Sequence, residues 1–358
     1  MFGSIGTGYT DNVLRGDHDA PGVDILREGY SRLEAGVRLD TELSDHRLEI
    51  GYVATVREHW RTGSFDSFTQ RAKARLDLYG VDIEGHFNAN YERFAFTQSV
   101  QLTGLVRLDV YSLRGWTELR VGRFGVRVGG SARRTDYLSS STSVIDSWGY
   151  RADLQVYGRI QPKLRALVEY NWFVVEYDEG RAGLLNDYMA HQLRVGLDGA
   201  FTPKLSASLK VGATIQVVDQ VTSPSRDRQE FSGATAEAAI GWKPFVRSSL
   251  KVAYRRTLEP SFQSNFLLND TWLAEVGQKL FTGKLALSAF VEYGRSDVSR
   301  IGRVSAHINR FSTGLRAVYF VKPWLSLAGT YDWTRVGSPF ANRDYKRHQV
   351  VFSIGAGL

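Results

Sequence analysis

Arg71, Lys73 and Arg75 alternate with Ala72 and Ala74, a spacing of two that puts three cations on one face of an extended strand. A guanidinium presents a planar fork of donors to a carboxylate or phosphate, whereas an ammonium acts as a point charge. Such a stack facing water holds anions, and the following run His86, Asn88 and Asn90 offers no row of acids to cancel it. The same wet-side parity is expected for Arg107, Arg127, Arg133, Arg151, Arg159, Arg194, Arg255 and Arg316. Arg127 and Arg133 are expected one strand away from Arg151 and Arg159. Acids share that side, Glu49, Asp77, Asp109, Glu169 and Glu237 among them, so cross-strand ion pairs are the structural role that competes with anion binding. The formal charge of +7 leaves cations in excess.

Catalytic chemistry finds little to work with. His18, His46, His59, His86, His191, His307 and His348 are scattered over separate stretches, and His191 falls on an apolar parity. No paired spacing suggests a metal, and no nucleophile stands beside a base with an orienting partner. The glycines between Gly122 and Gly130 read as turn and strand glycines rather than a phosphate-cradling loop. Cysteine is absent, which excludes disulfides and thiolate metal sites. Neither enzymatic activity nor a cofactor is expected. Basic runs and recognition-helix patterns are missing, so nucleic acid is not an expected partner.

Strands must position these charges. From Leu205 the residues Leu205, Ala207, Leu209, Val211, Ala213, Ile215 and Val217 are apolar, while Ser206, Ser208, Lys210, Gly212, Thr214 and Gln216 are small or polar. A period of two over that length predicts a β-strand with one oily and one wet face. Similar stretches fall near residues 1–12, 28–43, 46–60, 66–79, 82–97, 104–121, 125–137, 147–160 and 163–177. They continue near 188–200, 205–218, 230–242, 247–258, 270–281, 284–296, 308–321, 325–336 and 346–358. Eighteen strands follow, with sixteen as the alternative count.

Tight turns are expected at Ser44-Asp45, Gly80-Val81, Gly122 to Gly125, Gln161-Pro162, Thr202-Pro203, Lys243-Pro244, Thr282-Gly283 and Lys322-Pro323, where Gly supplies positive φ and Pro pre-sets the bend. Longer polar connectors lie between them, such as Asn12 to Arg27, Ser139 to Asp146, Asp178 to Asp187 and Asp219 to Gln229. The 43% of hydrophobic residues never forms the uninterrupted run of about 20 that a membrane helix needs. The fold predicted is a single closed antiparallel transmembrane β-barrel over residues 1–358, with short periplasmic turns and longer extracellular loops. Apolar parity switches within one strand, from Val106, Leu108 and Val110 to Leu119 and Val121, so a β-bulge is expected near Ser112 to Trp116.

Aromatic residues sort to the strand ends. On the oily parity Tyr150, Tyr170, Trp172, Tyr254, Trp272, Tyr293, Tyr331 and Trp333 fall near the longer loops. Trp242, Phe281, Phe320 and Trp324 fall near the tight turns. Two such girdles match rings resting at headgroup depth, whereas the core of a soluble sandwich would not sort them this way. No charged start and apolar core precede the first strand, so a leader, or a longer N-terminal part, is expected to have been removed.

The last stretch alternates through His348, Val350, Phe352, Ile354, Ala356 and Leu358. Here the chain resembles bacterial outer-membrane barrels, whose C-terminal strand carries an alternating apolar signal read by the β-barrel assembly machinery. Those usually finish in Phe or Trp, and this one finishes in Leu358. The layout along the full chain is similar to β-barrel porins found beside bacterial exopolysaccharide secretion systems. The basic ladder also resembles that of polyanion-conducting barrels such as the alginate exporter. The resemblance implies outer-membrane lipid and lipopolysaccharide, the assembly machinery and a periplasmic polysaccharide-export protein as partners. The function it implies is export of an acidic polymer through an aqueous, Arg-rich lumen. Independently of the resemblance, the segment from Asn12 to Arg27 is long enough to fold inward and narrow that path. A general diffusion porin with mild anion preference and a non-conducting scaffold or adhesin barrel are the alternatives.

Overall fold

Alternation of apolar and polar residues becomes strand along almost the whole chain. The computed structural model describes residues 1–11, 27–97, 105–138, 146–178, 187–219, 230–259, 267–300, 303–338 and 344–357. The strands are β1 (Phe2–Thr10), β2 (Glu28–Leu43), β3 (His46–His59), β4 (Ser67–Tyr79), β5 (Ile83–Thr97) and β6 (Leu105–Val121). Next come β7 (Phe124–Tyr137), β8 (Ser147–Gln161), β9 (Leu164–Tyr177), β10 (Tyr188–Thr202), β11 (Leu205–Val218) and β12 (Glu230–Trp242). The last six are β13 (Ser248–Glu259), β14 (Leu267–Leu280), β15 (Leu285–Arg300), β16 (Arg303–Lys322), β17 (Leu325–Gly337) and β18 (Tyr345–Gly357).

Every strand pairs antiparallel with its neighbours in sequence, and β1 pairs with both β2 and β18, so the 18-stranded sheet closes on itself. Closure removes the sheet edges, leaving every strand paired on both sides. Following the register once around the ring returns to β1 displaced by about 22 residues. With strands ~4.8 Å apart and ~3.3 Å per residue, that shear gives a tilt near ~40° and a backbone cylinder roughly 36 Å across. Side chains cannot fill such a width, and barrels of this size enclose water.

The outer face is greasy. Val211 is 47% exposed, Leu193 55% and Leu315 60%, exposures that only hydrocarbon surroundings make favourable for so many apolar side chains. The inner face is wet as well as charged, with Arg71 67% and Arg310 55% exposed at their side chains. A dry centre would bury both.

Tight turns at one end need unusual backbone. Ser44, Gly122, Phe281 and Thr282 all have positive φ, and only Gly122 adopts it without a steric cost. Gly199 near the end of β10 has φ +143°, and a Cβ there would stand 1.9 Å from the Lys163 carbonyl oxygen. Only glycine fits where β10 closes against the start of β9.

Three expectations are corrected by the coordinates. The bulge expected near Ser112 to Trp116 is absent, because β6 keeps one register against β5 and β7 throughout. Val106, Leu108 and Val110 instead point inward at the external end, buried with Phe94 and Tyr137 packed against them. A strand of 17 residues is longer than the ~9–11 that span a bilayer, so its outward face leaves the hydrocarbon and turns polar. The apolar parity changes there because the surrounding solvent changes. Second, the connector expected between β15 and β16 is mostly strand, a long hairpin whose register shifts after Val298. Third, Phe320 and Trp324 leave the outer wall: Phe320 keeps the inward parity of Arg310 and Arg316 along β16, and both line a pocket with Phe2, Ser4 and Glu34. The inward-folding segment Asn12 to Arg27 lies outside the described residues, apart from Arg27.

Candidate functional site

The strands collect a dense row of charges along the inner wall. Register puts Arg71, Lys73 and Arg75 of β4 on it, opposite Glu92, Asn90 and Asn88 of β5. All three are tied to carboxylates: Arg71 to Glu92 at 2.8 Å, Lys73 to Glu49 at 3.3 Å and Arg75 to Asp77 at 2.9 Å. His86 also contacts Asp77 and stacks on Trp116 with ring centroids 5.3 Å apart. The ladder is therefore real in position but largely neutralised.

Other predicted cations are anchored in the same way. Arg127 of β7 donates to Glu118 at 2.5 Å and lies over the Trp116 ring at 4.2 Å. Arg151 of β8 pairs with Asp153 and donates to Asn171 at 2.7 Å. Arg194 of β10 bridges Glu169 and, at 3.4 Å, Glu237, while Lys210 of β11 reaches Glu169 at 2.8 Å. Asn171 and Gln192 stitch this cluster together, with Asn171 donating to Glu169 at 2.9 Å and to Gln192 at 3.1 Å. Asn171 is 0% exposed, so its amide depends on those bonds.

A recurring local signal explains many of these pairs. Arg32 with Glu34, Arg38 with Asp40, Arg75 with Asp77 and Arg151 with Asp153 are same-strand pairs two residues apart. Spacing of two puts both side chains on one face. Reading only for acids across the strand pair misses them, although the Arg-x-Asp spacing is visible in the sequence.

Arg133, Arg159, Arg255 and Arg316 lie on the inner face by register and make no ion pair among the described residues. Arg57, Arg114 and Arg347 share that condition. Arg114 was not expected inside. The assumed bulge would have turned it outward, and unbroken parity through β6 is the signal that finds it. Arg107 is a correction in the other direction: it is exposed on the outward parity, where it donates to the Asp66 carbonyl oxygen at 3.2 Å. Asp109 is outward too, bound by Arg93 at 2.6 Å.

Six basic side chains, Arg114, Arg127, Arg151, Arg194, Lys210 and Arg255, line a cavity of about 630 Å³ recessed into the wall from β6 to β13. Its acids Asp153, Glu169 and Glu237 are committed to cations, while Glu259 is held by Thr257 and Asn269 alone, so Arg114 and Arg255 are its cations without an ion pair among the described residues. The arrangement attracts and orients oxyanions. Among the described residues no group of three His, Asp or Glu could hold a metal ion.

Outside, the girdle residues pack on one another. Trp272 lies 5.2 Å from Tyr254 and 5.4 Å from Tyr293 between ring centroids. The Tyr331 hydroxyl meets His348 at 2.8 Å, and Trp333 also faces His348. Tyr170 meets His191 at 2.7 Å, which places that histidine on the outer wall. Tyr150 and Trp172 follow the same outward parity, and Trp242 stands at the tight-turn end. External to this belt the outer wall carries ion pairs, Arg256 with Asp270 and Arg295 with Asp297.

Solved outer-membrane porins share this architecture. Pseudomonas aeruginosa OpdO is 12% identical, with 100% of this chain and 96% of that chain covered at a TM-score of 0.54. Pseudomonas aeruginosa OccK1 (OpdK) is 9% identical over 99% and 97% at 0.54, and Acinetobacter baumannii OccAB3 is 8% identical over 99% and 98% at 0.52. Identities this low speak for the fold alone. No curated protein matches the chain. The sequence pattern of the family described as “Putative beta-barrel porin 2” runs through residues 3–356, so the chain belongs to that family and is a β-barrel porin of the bacterial outer membrane.

Proposed function

We propose that the barrel is a passive channel for anions, and that its physiological cargo is an acidic polysaccharide exported across the outer membrane. The observation that carries the reading is the set of inner-wall guanidiniums without carboxylate partners, Arg114, Arg133, Arg255 and Arg316 foremost. An uncommitted guanidinium matches a uronate carboxylate through two parallel hydrogen bonds, and several along a path let a polyanion pass from one to the next. Binding at each must stay weak enough for release. A width of roughly 36 Å admits a hydrated chain. One porin of similar fold, Pseudomonas aeruginosa OccK2, has been solved in complex with glucuronate.

The ion pairs that tie down Arg71, Lys73 and Arg75 favour a second reading, a diffusion porin with mild anion preference. Single-channel recording separates the two. Under the export reading, oligouronates of four to six sugars interrupt the current at concentrations about tenfold below neutral oligosaccharides of the same length, equivalent to ~1.4 kcal/mol. Equal effects of both sugars would contradict export and leave the diffusion porin.

A further inference from the structure

Arg32 of β2 and Arg57 of β3 stand directly opposite one another on the inner wall. Like charges in that position repel, and sheets normally avoid them. Arg347 of β18 is near enough for its charge to act on Arg57. Two carboxylates are near these three guanidiniums: Glu34 accepts from Arg32 at 2.5 Å and from the Thr55 hydroxyl at 3.3 Å, and Asp332 of β17 is near enough to feel the charge of Arg347. The Nε atoms of both Arg32 and Arg57 are buried and have no hydrogen-bond partner. Among the described residues Arg57 makes no hydrogen bond or ion pair; its guanidinium lies over the Tyr30 ring at 4.8 Å. Tyr30 is 2% exposed and held by Gln349, which donates to its hydroxyl at 2.7 Å. The platform under Arg57 is thus rigid, and the side chain is positioned without a counter-charge.

Leaving a buried charged donor unmade costs more than an ordinary hydrogen bond returns. We infer that Arg32, Arg57 and Arg347 form an oxyanion-binding station in the external half of the lumen, whose ligand is the carboxylate of an acidic sugar. The inference rests on the anion-channel reading and deepens it: cargo pauses at this station, whereas Arg114 and Arg255 supply attraction deeper along the wall. An oxyanion between Arg32 and Arg57 would convert the repulsion into a bridge.

The test is thermal unfolding of the purified detergent-solubilised barrel, with sodium glucuronate, inorganic phosphate or glucose added at constant ionic strength. Native protein is expected to be stabilised by glucuronate, by phosphate or by both, and not by glucose. The two oxyanion arms tell which source fills the station. Arg57→Gln is expected to weaken that response at least tenfold, and Arg57→Lys to weaken it less. Without added anion, Arg57→Gln is expected to melt no lower than native protein, because it relieves repulsion; a purely structural arginine would do the opposite. Absence of any oxyanion response, an undiminished response in Arg57→Gln, or a lower melting point for that variant without anion would each overturn the station. Ion selectivity is read on the same variant. It stays anionic if the wider channel reading holds, so the two claims fail separately.

Discussion

Replacing Arg114 and Arg255 together by Glu is expected to turn an anion-preferring pore into a cation-preferring one. Both line the recess in which Asp153, Glu169 and Glu237 are paired with cations and Glu259 is not, so the exchange puts uncompensated carboxylates where uncommitted guanidiniums stood. In a low-dielectric wall such a change alters the local concentration of a permeant ion by roughly tenfold. Reversal potentials across a KCl gradient read the effect as a change of sign. The same double exchange at Arg71 and Arg75 is expected to act less on selectivity and more on stability, because it puts new acids beside Glu92 and Asp77. An unchanged reversal potential in the Arg114/Arg255 variant would mean that this recess lies off the ion path.

A second large effect is expected on the outer face. Val211 sits midway along β11, outward and 47% exposed, and Val211→Arg places a charge in hydrocarbon. The expected loss of folding free energy is about 2–4 kcal/mol at the membrane midplane. Ser208→Arg, three residues away on the inner face and opposite Asp198, is expected to cost nearly nothing. Refolding into lipid vesicles against a urea series measures both. Equal losses would mean that β11 does not divide hydrocarbon from water.

Most of the wall was legible in the chain because period-two patterning and turn chemistry reinforce each other. Leu205 to Val217 alternate without a break, and Pro203 and Pro244 end the flanking strands on the side where chain reversal is tight. The failures share a cause. Apolar parity reports the outer face only while that face meets hydrocarbon, and β6 runs beyond it. Arg107 and Asp109 were therefore assigned inward and Arg114 missed, although the backbone never changes phase. Phe320 shares the parity of Arg310 and Arg316, so its inward position is legible in the chain, and only its aromatic type at a strand end suggests the lipid side.

Position was easier to read than state of charge. That Arg75 and Arg151 face inward follows from parity, but whether each is free depends on rotamers that bring Asp77 and Asp153 into contact. The opposed pair Arg32 and Arg57 depends on the register of β2 against β3, which the two strands' sequences specify only through their common oily face. Sequence-based reading therefore found a basic lumen and misjudged which of its cations are uncommitted.

The chain has no cysteine, so single cysteines placed along β11 from Ser206 to Ala213, leaving Gly212 in place, report solvent one position at a time. Barrels reconstituted in liposomes are treated with a charged, membrane-impermeant thiol reagent. Modification is expected at 206, 208 and 210 and protection at 207, 209, 211 and 213, an alternation that only a sheet separating water from lipid produces. Uniform protection, or modification without that period, would mean that the ring does not enclose water.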